Sequence, residues 1–370
     1  MRILLTGGGT AGHINPAVSI AEIVKQKEEK PEILFIGTEG GMEKELIPRY
    51  GYDIKFINIH GFRRSLSLKN LKVAGELLTS IRKSKKIIKE FKPDVVVGTG
   101  GYVTGPVLYA ASKMKIPTMV HESNAYPGVT VRLLSDKVDI VALAMKEARK
   151  YLKNPKRIEI TGNPIRQSIV EINKEEARKK LGLDDRKTVL IFGGSLGADY
   201  FNSVVCDYIS ECIAEGKDYN FIMSAGKNNR YEKLYNRFKN NGINPNTEKN
   251  LTLTEYIYDM EYALNAVDLI IARSGSSVSE MLAAGKPCVL VPSPNVAGNH
   301  QEHNARAVEE KGAAVVITED KLNAESLKEK ANSILDNDDL REKMSIAAKN
   351  AAVTDATERL YALILQLINK

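Results

Sequence analysis

Short apolar runs alternate along the whole chain with stretches of helical periodicity. In the first half, Ile3–Leu5, Ile33–Ile36, Asp94–Val97, Thr118–His121, Val138–Val141 and Lys156–Ile160 are such runs. Apolar runs this short, bounded by turn residues, read as buried parallel strands. Between them the pattern predicts helices, notably over 16–29, 69–90 and 104–114. The rhythm restarts at Thr188–Phe192 and continues through Asn220–Ser224, Leu251–Thr254, Leu269–Ala272, Cys288–Val291 and Ala314–Ile317. Helices fit about 198–214, 228–240, 277–284, 301–310 and 324–335. Residues 338–370 read as one or two more, ending in the apolar Leu360–Ile368. This alternation is that of an α/β protein with doubly wound parallel sheets. What recurs is the half-chain: two Rossmann-like units, each opening with a strand and a glycine-rich loop. Thr161-Gly162-Asn163-Pro164 disfavours regular structure, which puts the linker near 162–166. The expected division is an N-terminal domain 1–162 and a C-terminal domain 163–344, with the helices of about 345–370 packing back on the first.

A length of 370 residues suits two domains, and a hydrophobic content of 43% is ample for their cores. No stretch reaches about 18 uninterrupted apolar residues, so no transmembrane helix is expected. The first strand begins at once, so no signal peptide is expected either, and the chain should stay in the cytoplasm. Cys206, Cys212 and Cys288 lack metal-ligand spacing and read as buried free thiols. The net charge of +7 is uneven. Residues 1–162 hold 27 Lys and Arg against 16 Asp and Glu, a net +11; the remainder holds 26 against 30, a net −4. Arg63 to Lys92 alone carries ten basic residues and only Glu76 and Glu90. Either the lysines are a solvated helix face, or they meet an anionic surface of nucleic acid or phospholipid. No aromatic cluster lies on the basic segment, and overall aromatic content is 6%, which gives little support for base stacking; no nucleic acid is expected.

The chemistry concentrates in the glycine loops. Ile3–Leu5 runs into Gly7, Gly8, Gly9 and Gly12, and then into Asn15-Pro16, which reads as a helix start. A strand, a glycine loop and a helix N-terminus make an anion site from convergent N–H groups and the helix dipole. Gly193-Gly194-Ser195-Leu196-Gly197-Ala198 repeats the arrangement. Gly7, Gly9 and Gly12 formally satisfy G-x-G-x-x-G, a weak dinucleotide signal by itself. Glu39, 27 positions after Gly12, is late for a ribose-binding carboxylate. A dehydrogenase needs one such loop, whereas a nucleotide-sugar enzyme with a ligand cleft between twin domains uses both. An NAD-dependent oxidoreductase and a non-catalytic sugar-nucleotide or nucleic-acid binding protein stand beside that reading.

The motifs are more specific than the loops alone. They are Gly7 through Pro16, Gly100-Gly101-Tyr102-Val103-Thr104-Gly105-Pro106, His121-Glu122-Ser123-Asn124, Thr161 through Arg166, Gly193 through Ala198, Arg273-Ser274-Gly275 to Glu280, and His300 through Ala305. In this order, over essentially the whole chain, they resemble the MurG family of peptidoglycan glycosyltransferases. The resemblance implies a GT-B fold, two Rossmann-like domains with a cleft between them. It implies an inverting transfer of GlcNAc from UDP-GlcNAc to the C4 hydroxyl of MurNAc in undecaprenyl-diphospho-MurNAc-pentapeptide, the step from lipid I to lipid II. No cofactor or metal is implied; His300 and His303 are three apart, but no carboxylate or cysteine completes a ligand set.

Residue by residue, the resemblance places Thr10, Ala11, Gly12, Asn124, Arg166, Ser195, Ile257, Ser276, Ser277, Glu280, Gln301 and Asn304 against UDP-GlcNAc. Ser195 and Arg166 would meet the diphosphate, Glu280 the ribose, the Ile257 backbone the uracil, and Gln301 and Asn304 the sugar. Gly12, His13 and Tyr102 would meet the acceptor. The Arg273–Glu280 run is one residue shorter than the family's, so Ser276 and Ser277 share one expected contact. Alanine at 11 replaces a usual glycine, and Ser123 stands where glutamine is common. An imidazole titrates near neutrality, which makes His13 the first choice for general base, with Glu122 as its rival. The family is peripheral on the cytoplasmic side of the cell membrane. Leu68, Leu71, Ala74, Leu77, Leu78, Ile81, Ile88 and Phe91 recur at helical spacing, with Phe62 and Leu66 before them. The stripe either packs on the sheet or meets the headgroups of an anionic membrane surface.

Overall fold

The apolar runs pair as parallel strands in two separate sheets of a computed structural model, which describes residues 1–60, 69–227 and 229–369. The first sheet comprises β1 Arg2–Thr6, β2 Glu32–Thr38, β3 Asp53–Ile57, β4 Val95–Gly98, β5 Thr118–Glu122, β6 Ile140–Leu143 and β7 Ile158–Ile160. Its spatial order among the described residues is β3-β2-β1-β4-β5-β6-β7. The second comprises β8 Lys187–Phe192, β9 Tyr219–Ser224, β10 Leu251–Thr254, β11 Leu269–Ala272, β12 Cys288–Leu290 and β13 Ala314–Val316, in the order β10-β9-β8-β11-β12-β13. In each sheet the first strand lies centrally, between the second and the fourth. Leu5 thus stands opposite Phe35 on one side and Val97 on the other. Helices cover both faces, so the central strands are buried along nearly their whole length.

The chain divides into two compact units, Met1–Arg166 with Thr354–Lys370, and Gln167–Val353. The first unit thus ends a few residues past Gly162, and the chain returns to it at Thr354. The helix Asp338–Ala351 packs on the helices Val278–Ala283 and Ala324–Leu335 and stays with the second unit. Only the helix Ala356–Ile368 returns, buries Leu360 and Ile364, and packs on the helix Ala11–Lys27. Thr357 Oγ1 donates to the Ile165 carbonyl at 3.1 Å, and Tyr361 Oη donates to Glu28 Oε1 at 2.6 Å.

Three differences from the sequence pattern have physical causes. The strand β3 was not expected; it lies at a sheet edge, and its alternation of exposed and buried residues lacks a continuous apolar run. The first helix begins at Ala11, not at Asn15-Pro16, so Pro16 lies inside it. Proline has no N–H to give to the carbonyl four residues back, here that of Gly12. Short helices such as Glu43–Arg49, Lys174–Leu181 and Met260–Ala266 also escaped, being too brief to set up a period.

Candidate active site

In the first unit the strand order reverses between β1 and β4, where open α/β sheets bind ligands beyond the strand ends. The loops leaving these two strands touch. Thr99 N–H donates to the Thr6 carbonyl at 2.9 Å, and Thr99 Oγ1 donates to the His13 carbonyl at 2.6 Å. A Cβ at Gly7 would lie 2.2 Å from Thr99 Oγ1, and one at Gly101 would lie 2.3 Å from the Gly8 oxygen. The loops approach this closely because those positions carry no side chain.

Thr10 caps the helix Ala11–Lys27 without a side-chain hydrogen bond, and its first turn holds no acid. Ala11, Gly12 and His13 therefore form an anion-compatible first turn. The His13 ring lies with Nδ1 3.1 Å from the Gly8 oxygen, and a Cβ on Gly100 would come within 2.6 Å of its Cδ2. Tyr102, on the β4 loop, is 59% exposed.

Glu122 ends β5, buried, with both oxygens occupied. Oε1 accepts from Asn124 N–H at 2.9 Å and from Asn124 Nδ2 at 3.0 Å; Oε2 accepts from Gly128 N–H at 2.8 Å. A carboxylate so engaged organises its loop, and Asn124 is tied to it. His121, fully buried, has Nε2 3.0 Å from the Gly162 oxygen, and burial pushes its imidazole down to about 4. It pins the segment that leads to Arg166, itself buried.

The second unit repeats the plan after β8. Gly194 and Gly197 have φ of 88° and 73°, and Gly197 N–H donates to the Gly194 oxygen at 2.9 Å. This left-handed turn leads into the helix Asp199–Ala214, whose N-cap, Ala198, provides no side-chain bond. Ser195 is half-buried on the turn. Glu280 is buried on the short helix Val278–Ala283, with Ser276 and Ser277 half-buried just before it. Ile257 packs on the core of this unit, so its side chain is engaged and its backbone is the part left for recognition.

Gln301 and Asn304 share the helix His300–Glu310 but differ in what they touch. Gln301 is half-buried and accepts from Ser293 N–H at 2.9 Å through Oε1. Asn304 is 1% exposed and donates from Nδ2 to the Ser274 oxygen at 3.0 Å, which makes it a tie for the loop after β11. Arg273 is another such tie. It donates to the carbonyls of Val291 and Pro292 at 3.1 and 3.2 Å, pairs with Glu319, and lies over the Phe201 ring. Among the described residues no group of three or more His, Cys, Asp or Glu is placed to hold a metal. The three cysteines are free and buried, and burial raises their thiols to about 12, 11 and 12 in chain order.

One residue of the first unit was not anticipated. Glu43 is 1% exposed, and its carboxylate accepts from Gly9 N–H at 2.9 Å, Thr38 N–H at 2.8 Å and Thr38 Oγ1 at 2.7 Å. A Cβ at Gly8 or Gly41 would lie 2.5 or 2.1 Å from its oxygens. The signal available was Gly40-Gly41 just before a glutamate that follows a strand end. Glu39, the late candidate for a ribose carboxylate, is exposed instead.

The stripe on the helix Lys69–Phe91 packs inward where it is described. Ile87 and Ile88 are buried, and Leu77, Ile81 and Phe91 rest on the core, while Leu78 is 61% exposed. Arg82, Lys85, Lys86 and Lys89 line an open surface recess of about 390 Å³ with Glu90. Phe62, Leu66 and Leu68 lie outside the described residues. Among the described residues no helix is long and apolar enough to cross a membrane.

Residues 3–143 match the glycosyltransferase family 28 N-terminal domain, and residues 188–360 match the family's C-terminal domain. The chain is 46% identical, over its full length and 98% of the relative's, to the UDP-N-acetylglucosamine–N-acetylmuramyl-(pentapeptide) pyrophosphoryl-undecaprenol N-acetylglucosamine transferase of Acetivibrio thermocellus. It is 42% identical, over the full length of both chains, to the enzyme of that name from Ruminiclostridium cellulolyticum. Among solved structures, it is similar to Acinetobacter baumannii MurG, with a TM-score of 0.69, 27% identity and 99% of each chain covered.

Proposed function

The chain belongs to glycosyltransferase family 28, and from that premise we propose how its two units carry out the transfer that its relatives are named for. The reaction moves GlcNAc from UDP-GlcNAc to the C4 hydroxyl of MurNAc in undecaprenyl-diphospho-MurNAc-pentapeptide, with inversion. The acceptor oxygen gives its proton to a base and forms a bond to C1 of GlcNAc. The bond from C1 to the diphosphate oxygen breaks, and UDP leaves with that electron pair. Two demands follow: a base at the acceptor, and positive potential at the departing diphosphate.

The observation that carries the assignment is the duplicated strand–glycine loop–helix, with no side-chain cap on either helix. In the second unit the amides of Gly194–Gly197 and the Ser195 hydroxyl take the UDP diphosphate. Arg166, the last residue of the first unit's Met1–Arg166 segment, carries a guanidinium suited to the donor's diphosphate. Glu280 accepts from the ribose hydroxyls, and Ser276 and Ser277 approach the nucleotide. The Ile257 backbone reads the uracil edge. Gln301 meets the sugar, and Asn304 supports it by fixing the Ser274 loop. In the first unit Thr10, Ala11 and Gly12 offer amides to anionic oxygens, and Tyr102 borders the acceptor. His13 serves as general base. Glu122, with three donors already on its oxygens, is better suited to holding Asn124 in place.

The basic face of the helix Lys69–Phe91 fits a peripheral attachment to an anionic membrane surface on the cytoplasmic side, where a polyprenyl diphosphate resides. Nothing in the site calls for nucleic acid. The test is transfer itself. Purified protein with UDP-GlcNAc and a short-chain polyprenyl-diphospho-MurNAc-pentapeptide should release UDP in step with disaccharide formation. UDP and UDP-GlcNAc should raise its melting temperature, and NADH should not. Stabilisation by NADH without sugar transfer would overturn the reading.

A further inference from the structure

Gly8 C=O and Gly9 N–H belong to one peptide group, and a different side chain holds each end of it. Gly9 N–H donates to Glu43 Oε2 at 2.9 Å, and the Gly8 oxygen lies 3.1 Å from His13 Nδ1. The order is carboxylate, peptide, imidazole. Glu43 is 1% exposed, and it also accepts from Thr38 N–H and Thr38 Oγ1, both neutral donors. Gly8, Gly37 and Gly41 crowd it so closely that a Cβ on any of them would come within 2.5 Å of the Glu43 side chain.

We propose that Glu43 is a positioning residue for His13, acting through the Gly8–Gly9 peptide that the two side chains share. This rests on the reading of His13 as general base. A carboxylate bonded to an amide N–H polarises that amide, so its carbonyl becomes a better acceptor. The Gly8 oxygen then holds the proton on His13 Nδ1 and leaves Nε2 with its lone pair for the acceptor hydroxyl. An orienting partner behind one ring nitrogen sets the tautomer and raises the basicity of the other. Gly100 packs on the ring, and Thr99 binds the His13 backbone carbonyl; both are neutral. On the neighbouring elements, Tyr102 of the β4 loop is exposed, and Glu122 at the end of β5 turns its oxygens to Asn124 and Gly128. Glu43 is therefore the carboxylate placed to act on this imidazole.

Ring ¹⁵N NMR of the full-length protein tests this apart from catalysis, with the His13 signals assigned by their loss in His13→Gln. In the wild type the neutral His13 ring should carry its proton on Nδ1; a proton on Nε2 would overturn the proposal without any variant. In Glu43→Gln the neutral ring should lose that preference, its proton shifting toward Nε2, and kcat should fall at least about tenfold with KM for UDP-GlcNAc unchanged. A ring that keeps its proton on Nδ1 in Glu43→Gln, whatever happens to kcat, would make Glu43 a structural residue only. Thr38→Val removes one donor from Glu43 but keeps its charge, so it should lower the melting temperature and leave the proton on Nδ1; a proton that moved to Nε2 as far as in Glu43→Gln would also overturn the proposal. Wild-type turnover in His13→Ala would remove the base reading, while the tautomer would still report on the Glu43–His13 coupling.

Discussion

Loss of the His13 imidazole takes away the group assigned to the acceptor proton, and His13→Ala should cut turnover by about 10²–10⁴-fold. KM for UDP-GlcNAc should barely change, because the donor is assigned to other residues; steady-state kinetics with both substrates varied will show the split. Gly100 matters for the same ring. Its φ of 113° and the 2.6 Å approach of an added Cβ to His13 Cδ2 mean that Gly100→Ala must displace the imidazole or the loop. That variant should lose at least about tenfold in kcat, since small misplacements of reacting groups are costly. Asn304→Ala should act differently. It leaves the buried Ser274 carbonyl without its donor and should lower stability by about 1–3 kcal/mol in denaturant titration. The accompanying loss should appear in KM for UDP-GlcNAc.

At the scale of strands and loops, the pinning of the Gly162 segment by His121 has a pH signature. The His121 imidazole is held down to about 4, against an ordinary value near 6.5, because burial disfavours its charged form. As pH falls below about 6.5, the unfolded chain takes up this proton and the folded chain does not. Stability is therefore lost on acidification, by up to about 3 kcal/mol on reaching pH 4. His121→Asn removes the titration, and its stability should fall less steeply between pH 6.5 and 4 in urea melts. Much of this architecture was legible in the sequence. Runs such as Thr188–Phe192 and Leu269–Ala272 are continuous because both faces of their strands are covered, and the glycine loops announce the strand ends. Asp53–Ile57 was illegible because a half-exposed edge strand shares its alternation with many loops. The first turn of the helix Ala11–Lys27 was missed because Pro16 looks like a helix start. Glu43 was missed because the nearby Gly40-Gly41 reads as an ordinary turn, and the partner that ties it to the glycine loop, Gly9 N–H, lies 34 residues away in sequence.

At the scale of the whole chain, part of the charge imbalance lies on one helix face. Arg82, Lys83, Lys85, Lys86 and Lys89 are all exposed on the helix whose apolar side rests on the sheet. Each lysine near an anionic bilayer contributes about 1 kcal/mol. Reversing Lys85, Lys86 and Lys89 to Glu should weaken sedimentation with phosphatidylglycerol vesicles by at least about 100-fold at low salt. UDP-GlcNAc binding should be unaffected, and neutral vesicles should show no difference.

The return of the last helix to the first unit also bears on how the polypeptide acquires its shape. Residues 167–353 sit within the chain as an insertion, and the first unit is complete only with Thr354–Lys370. During synthesis the inserted unit can close while its host still lacks the helix Ala356–Ile368, which follows it in the chain. The usual rule that amino-terminal domains mature first is thereby inverted for this chain. Truncation before Ala356 would damage the part of the protein made first.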